Sequence, residues 1–306
     1  MTDSQQIYNE VNKHYGSVTK SSSGQYEHAV AKAFGYTEED LVGLPDGANL
    51  GLSCGNPIAL AKLNEGETVV DLGSGAGFDV FAASKKVGES GKAIGNMIAK
   101  ANANKAKVDA ANVEFIQSPI TSIPLPDNTA NCIISNCVIN LVPDADKQAV
   151  FTEMFRLLKP GGRVAISDIL ARKQFTDELR KNIALYVGCV AGASQVSEYE
   201  TYLRTAGFND ILIVDAKSDL NAYVTVSRDD GSCCAPAASV PCCGASSQTS
   251  KASMETLAKT MVEESGVTDF NEWAGSFKIY AIKPSGTTDA NSANPVKTCC
   301  AGQSCC

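Results

Sequence analysis

Residues 67–77, Glu67-Thr68-Val69-Val70-Asp71-Leu72-Gly73-Ser74-Gly75-Ala76-Gly77, decide the fold. A short β-branched apolar run ends in Asp71 and a glycine-rich turn, and helical sequence from Phe78 to Val87 follows, so the segment reads as strand, turn, helix. Glycines in such a turn let the backbone approach a ligand closely, and the amides exposed where a helix opens favour a polar or anionic group. The alternative is a tight strand-to-helix turn that holds nothing.

The pattern repeats outward. Apolar runs at Lys92 to Gly95, Val113 to Gln117, Cys132 to Ser135 and Arg163 to Asp168 alternate with helical sequence at Ile98 to Val108 and Gln148 to Leu158. Short β-rich runs alternating with helices predict an α/β fold with a doubly wound, Rossmann-like parallel sheet. Lys159-Pro160-Gly161-Gly162 ends the last of these helices before the fifth strand. Helices at Thr176 to Leu185 and Val196 to Ala206 follow, with strands near Ile211 to Asp215 and Ala222 to Val226. Residues 1–50, with helical stretches Gln5 to His14 and Tyr26 to Phe34, read as an N-terminal cap over the main domain at 51–228. Residues 229–253 are a Ser, Ala, Gly, Pro and Cys linker too poor in apolar surface to fold alone. Residues 254–283 hold a helix, Met254 to Glu264, and a strand, Phe277 to Ile282, that is expected to return to the main sheet; 284–306 are a flexible cysteine-rich tail.

A chain of 306 residues that is 44% hydrophobic can build one substantial domain plus a smaller part. Its formal net charge of −8 argues against a nucleic-acid or anionic-membrane surface, both of which reward clustered Lys and Arg. No secretory leader and no membrane-spanning apolar run is visible, so the expected location is the cytoplasm. In that compartment twelve cysteines point to metal, metalloid or redox chemistry rather than to a disulfide scaffold.

Taken in order, the stretches ANLGLSCGNP, DLGSGAGFD, ISNCVINLVPD, LKPGGRVAISDI, ALYVGCVAGA and DFNEWAGSFKIYAIKP resemble those of arsenite methyltransferases, a class I S-adenosylmethionine-dependent family, across most of residues 45–283. The resemblance implies an arsenic(III) methyltransferase that converts arsenite or methylarsenite to methylated arsenicals, a detoxification. It implies S-adenosyl-L-methionine as cofactor and glutathione or thioredoxin as the thiol reductant that restores arsenic(III). It places the cofactor against Asp71, Gly73, Ser74, Gly75, Gly77, Asn96, Ile120 and Asn136.

Trivalent arsenic is soft and thiophilic. The resemblance assigns its capture to Cys54 and Cys189, each beside a glycine, with Cys233 and Cys234 as further candidates. Cys132 and Cys137 read as small apolar residues of the sheet or its crevice wall, and His14 and His28 as surface or cap residues. The paired cysteines of the C-terminal quarter either relay a thiophilic ion or belong to a weakly constrained tail.

Two departures from the family stand out. Gly95 runs straight into Asn96-Met97-Ile98, with about five residues missing, among them the acidic residue that usually binds the ribose hydroxyls. Asn96 takes that position with an uncharged and weaker acceptor. Asn131 stands where an acidic residue is usual, and Gln117 to Thr121 where the adenine wall belongs. The shortening fits a working enzyme, a loss of a few codons, or a non-catalytic arsenical- or metal-binding protein on a degenerate methyltransferase fold.

Overall fold

A computed structural model describes residues 4–18, 25–96, 99–108, 110–176, 180, 191–221 and 269–286. Cys189, Cys233, Cys234 and the other C-terminal cysteine pairs lie outside the described residues, as do the expected strand Ala222 to Val226, the helix Met254 to Glu264 and most of the helix Thr176 to Leu185.

The strands are β1 (Thr68–Leu72), β2 (Lys92–Asn96), β3 (Val113–Ile116), β4 (Ala130–Asn136), β5 (Leu158–Ala171), β6 (Asp210–Asp215) and β7 (Ala274–Ile282). They form one sheet in the order β3-β2-β1-β4-β5-β7-β6, parallel except for β7, which runs antiparallel between β5 and β6. The late strand expected from its alternation therefore joins the main sheet, with Ser276 opposite Ile169 and Ile279 opposite Ile166. β1 is buried on both faces, as parallel strands covered by helices are.

Helices α1 (Ser4–Val18), α2 (Gln25–Ala33), α3 (Glu38–Leu41) and α4 (Pro57–Ala61) precede the sheet. Helices α5 (Phe78–Val87), α6 (Ala99–Lys105), α7 (Asp144–Leu157) and α8 (Val196–Ala206) cover it. α5 keeps the bounds expected from sequence. At the end of α7 the Lys159-Pro160-Gly161-Gly162 turn lies within the first part of β5, where the register with β4 is interrupted: Ala130 opposes Leu158, but Cys132 opposes Arg163.

One apolar cluster, with Ile133, Val164, Ile166, Phe151, Met154 and Tyr199, packs α7 and α8 on one face. On the other face α4 and α5 pack through Ile58, Val69, Phe81, Val87 and Ala165. Each fully buried side chain of this size contributes about 1.5–3 kcal/mol. A smaller cluster lies at the carboxyl ends of the strands and contains Cys54, Cys137, Ile169, Phe175, Leu220 and Phe270, with Ile7, Val11 and Trp273 packed against it. Chain order reverses between β1 and β4, and a doubly wound sheet opens its ligand crevice at that point.

Candidate active site

A cavity of about 1010 Å³ occupies this crevice. Of the eight residues expected to face a cofactor, Asp71, Gly73, Ser74, Gly75, Asn96, Ile120 and Asn136 line it. Gly77 does not. It opens α5 with φ +95°, and a Cβ there would stand 2.7 Å from Phe81 and 2.8 Å from Phe115, so its smallness serves the packing of helix on sheet.

Gly73 is held by both conformation and space. Its φ is +66°, and a Cβ would lie 2.5 Å from Cγ1 of Val138, the neighbour of Cys137. Gly73→Ala is therefore expected to destabilise the fold by roughly 1–3 kcal/mol, the ordinary range for overpacking, and to lower the urea midpoint; an unchanged midpoint would show that the β4 loop yields freely.

Asn96 ends β2 buried. Its amide nitrogen donates to the carbonyl and hydroxyl of Ser118 at 2.7 and 2.8 Å, and its carbonyl oxygen on the main chain accepts from the Ser74 amide at 2.9 Å. With the side-chain nitrogen committed, the group Asn96 can offer a hydroxyl is its side-chain oxygen. Gln117 to Thr121 line the same cavity, in the position expected of an adenine wall. Asn131 is elsewhere: its side-chain oxygen accepts from the Thr68 amide and from Nζ of Lys159, joining β1, β4 and β5 at the opposite end of β1. Its missing charge bears on the framework rather than on the cavity.

Asn136 is the junction of the site. Its side-chain oxygen accepts from the Cys54 amide at 3.0 Å, and its amide nitrogen donates to the Gly55 carbonyl (3.0 Å), the Tyr36 hydroxyl (3.0 Å) and Oδ2 of Asp79 (3.1 Å). The Tyr36 hydroxyl donates to Oδ1 of Asp79 at 2.6 Å, while the Ser276 hydroxyl on β7 donates to the Cys54 carbonyl at 2.6 Å. One side chain thus fastens the Cys54 loop to β4, to α5 and to Tyr36 at the end of the cap.

Asp71 and Asp79 are both buried at the glycine turn. Burial, then the charge of Asp79, pushes Asp71 well above the ordinary carboxylate range. Burial raises Asp79 to about 6 against the opposing hydrogen bonds from Tyr36 and Asn136. Two desolvated acids side by side favour a cationic partner. Sequence alone marks Asp79 only by its position two residues past the last glycine of the turn.

The largest departure from expectation concerns Cys137. Its sulfur pairs with that of Cys54 in a disulfide, the two Cα atoms lying 5.7 Å apart across a sequence separation of 83. Cys137 lines the cavity wall, and its sulfur is paired with Cys54, one of the two expected arsenic ligands. Cys132, by contrast, is fully buried, and burial pushes its thiol up to about 12. α1 lines one side of the cavity, and its Tyr8 hydroxyl donates to Oδ2 of Asp146 at 3.0 Å.

A family profile described as a methyltransferase domain matches residues 63–207. An arsenite methyltransferase of Halobacterium salinarum is 44% identical over 219 residues, which cover 66% of this chain and 56% of that protein. Another of Aquipseudomonas alcaligenes is 38% identical over 53% of this chain and 49% of that protein. The chain spans about half the length of the curated relatives it matches. Among solved structures, an arsenic(III) S-adenosylmethionine methyltransferase from Chlamydomonas reinhardtii superposes with a TM-score of 0.51 at 24% identity, covering 86% of this chain and 74% of that one; this likeness is one of fold. The glycine turn and the antiparallel seventh strand thus stand in a chain whose residues 63–207 match a methyltransferase-domain profile and whose sequence is similar to arsenite methyltransferases over about two thirds of its length.

Proposed function

We propose that the protein is an arsenic(III) methyltransferase that uses S-adenosyl-L-methionine. The observation that carries this reading is the pairing of Cys54 with Cys137: Cys137 lines the cavity that the glycine turn opens into, and Cys54 directly follows the lining residue Ser53. A cavity of about 1010 Å³ lies at the top of the usual small-ligand range of about 300–1,000 Å³. It has room for a nucleoside cofactor beside a small substrate.

The residues fit the cofactor in most respects. Backbone at Gly73 to Gly75 admits close approach, Asp71 and Asp79 suit its cationic end, and Gln117 to Ile120 suit the base. The ribose end is left to Asn96, a weaker acceptor than a carboxylate. When bound, S-adenosylmethionine supplies an electrophilic methyl group.

The protein's own part is to hold arsenic(III) and keep water away. Cys54 and Cys137, opened from their disulfide by a thiol reductant such as glutathione or thioredoxin, bind the arsenical as thiolates. Cys189 is the third sulfur in this reading. Ala191 and Ala193, just after it, belong to the apolar cluster of Cys54 and Cys137, and two residues of chain separate Cys189 from Gly192. Three sulfurs accommodate inorganic arsenite, and two a monomethylated arsenical. Methylation consumes the arsenic lone pair and formally oxidises it by two electrons. Two thiolates that close to a disulfide return those electrons, which gives the Cys54–Cys137 bond a place in turnover and the external reductant its task. Positioning alone contributes on the order of 7–11 kcal/mol in well-oriented systems, so no side-chain acid or base is required at carbon.

The acid pair gives this reading a pH dependence. Below about 6 Asp79 is protonated, and above it the carboxylate is available to a cation. Cofactor affinity is expected to rise as pH increases through about 6 and to lose that step in Asp79→Asn, followed by calorimetry between pH 5 and 8. Titration with S-adenosylmethionine tests the whole reading. Saturable binding is expected; no binding at millimolar cofactor, with arsenical binding retained, would favour a non-catalytic arsenical-binding protein.

A further inference from the structure

Cys137 adopts a left-handed backbone conformation, φ +58°, that a non-glycine residue enters at a cost of about 1–2 kcal/mol. Such strain persists where the surroundings over-determine it. Here they do. The Cys137 amide donates to the Ser167 carbonyl on β5 at 2.9 Å. Three residues later Asn140, fully buried in the turn Ile139–Leu141, donates its side-chain amide to Oδ1 of Asp168 at 2.9 Å and to the Ile169 carbonyl at 2.6 Å. Asp168, equally buried, accepts from the Ile169 amide through the same oxygen and from the Tyr199 hydroxyl on α8 through the other.

We infer that Asn140 and Asp168 are positioning residues which lock the strained turn at Cys137 to β5 and so aim its sulfur at Cys54. The inference rests on reading Cys54 and Cys137 as the arsenical ligands. Neither Asn140 nor Asp168 lines the cavity, so their effect reaches the substrate through Cys137 and leaves the glycine turn alone. The brace extends toward the segment that follows Cys189. Lys147, fully buried on α7, donates to the Gly192 carbonyl and to the Ser194 hydroxyl, and the Ser194 carbonyl accepts from Ala171 at the end of β5. One buried polar layer thus ties the Cys137 turn and the chain just past Cys189 to the same strand.

Asp168 acts on Asn140 through hydrogen-bond geometry. An asparagine there keeps an oxygen for Asn140 and for the Ile169 amide, and its nitrogen meets a hydroxyl that can also accept. Burial raises Asp168 to about 7 against the opposing Ile169 amide, the charge of buried Lys147 and the Tyr199 hydroxyl.

The test uses the reduced full chain and phenylarsine oxide, a trivalent arsenical that takes two thiolates. Binding is followed by the fluorescence of Trp273, the single tryptophan, which packs on the cysteine cluster. Asn140→Ala is expected to weaken phenylarsine oxide at least tenfold while S-adenosylmethionine affinity stays within twofold, and Asp168→Asn is expected to stay within threefold of the native chain. Asn140→Ser, which loses the same reach with less disruption, serves if Asn140→Ala does not fold. Native affinity in the Asn140 variant, or a loss in Asp168→Asn equal to that in Asn140→Ala, would overturn the inference. Cys54→Ser separates the two layers: if it also binds phenylarsine oxide as the native chain does, the ligand reading itself fails.

Discussion

Replacing Cys137 with serine is expected to lower arsenic methylation by at least 100-fold while leaving S-adenosylmethionine binding within about twofold of native. A hydroxyl is a hard, weakly acidic group where a soft trivalent centre needs a thiolate. Cys54→Ser should do the same, because the two sulfurs face each other across one contact and neither alone holds a centre that must be oriented. The measurement is initial methylation rate with arsenite and with methylarsenite, paired with cofactor calorimetry. The two substrates separate the roles of the sulfurs: loss with arsenite alone would assign Cys137 as the third ligand rather than one of the two essential ones.

Asn136→Ala is expected to have the largest effect outside the sulfurs. The substitution strips partners from the Cys54 amide, the Gly55 carbonyl and one oxygen of Asp79, which lines the cavity. Each buried polar group left unsatisfied costs about 1–3 kcal/mol, so a destabilisation of roughly 3 kcal/mol or more follows, read as a lowered urea midpoint. Arsenical and cofactor binding should weaken together, because the same amide holds the Cys54 loop and the acid at the start of α5. A variant that lost one binding function and kept the other at native strength would show that the two halves of the site are held independently.

Much of the fold is written locally. β1, the glycine turn and α5 are legible because an apolar run, a cluster of glycines and a helix-forming stretch follow one another without interruption. β7 was legible from its alternation, and its place between β5 and β6 follows from the need to pair both of its edges. The interrupted register at Lys159 to Gly162 was not, since Pro and Gly announce the end of a helix without saying how soon a strand begins.

The site divides in the same way. Gly73 and Gly75 are legible because the turn that presents them is continuous in sequence, whereas Asn96 reaches the same cavity from the end of the neighbouring strand β2. Asn131, standing where an acidic residue is usual, finds its partners in Thr68 and Lys159, a contact its place in the sequence does not announce. Cys137 was read as a wall residue because neither its neighbours nor its spacing report that its φ is positive, or that its sulfur turns toward a loop 83 residues earlier. Asp79 and Tyr36 likewise meet across 43 residues, a contact made by tertiary packing alone.

The central claim is that a soft-ligand site and a cofactor site share one cavity and act on each other. Reduced protein incubated with arsenite, excess glutathione and methyl-labelled S-adenosylmethionine tests it most directly. The account predicts label in a methylated arsenical, with one S-adenosylhomocysteine formed per methyl transferred and with no transfer in Cys54→Ser. Protein that binds both arsenite and the cofactor yet transfers no label would contradict it.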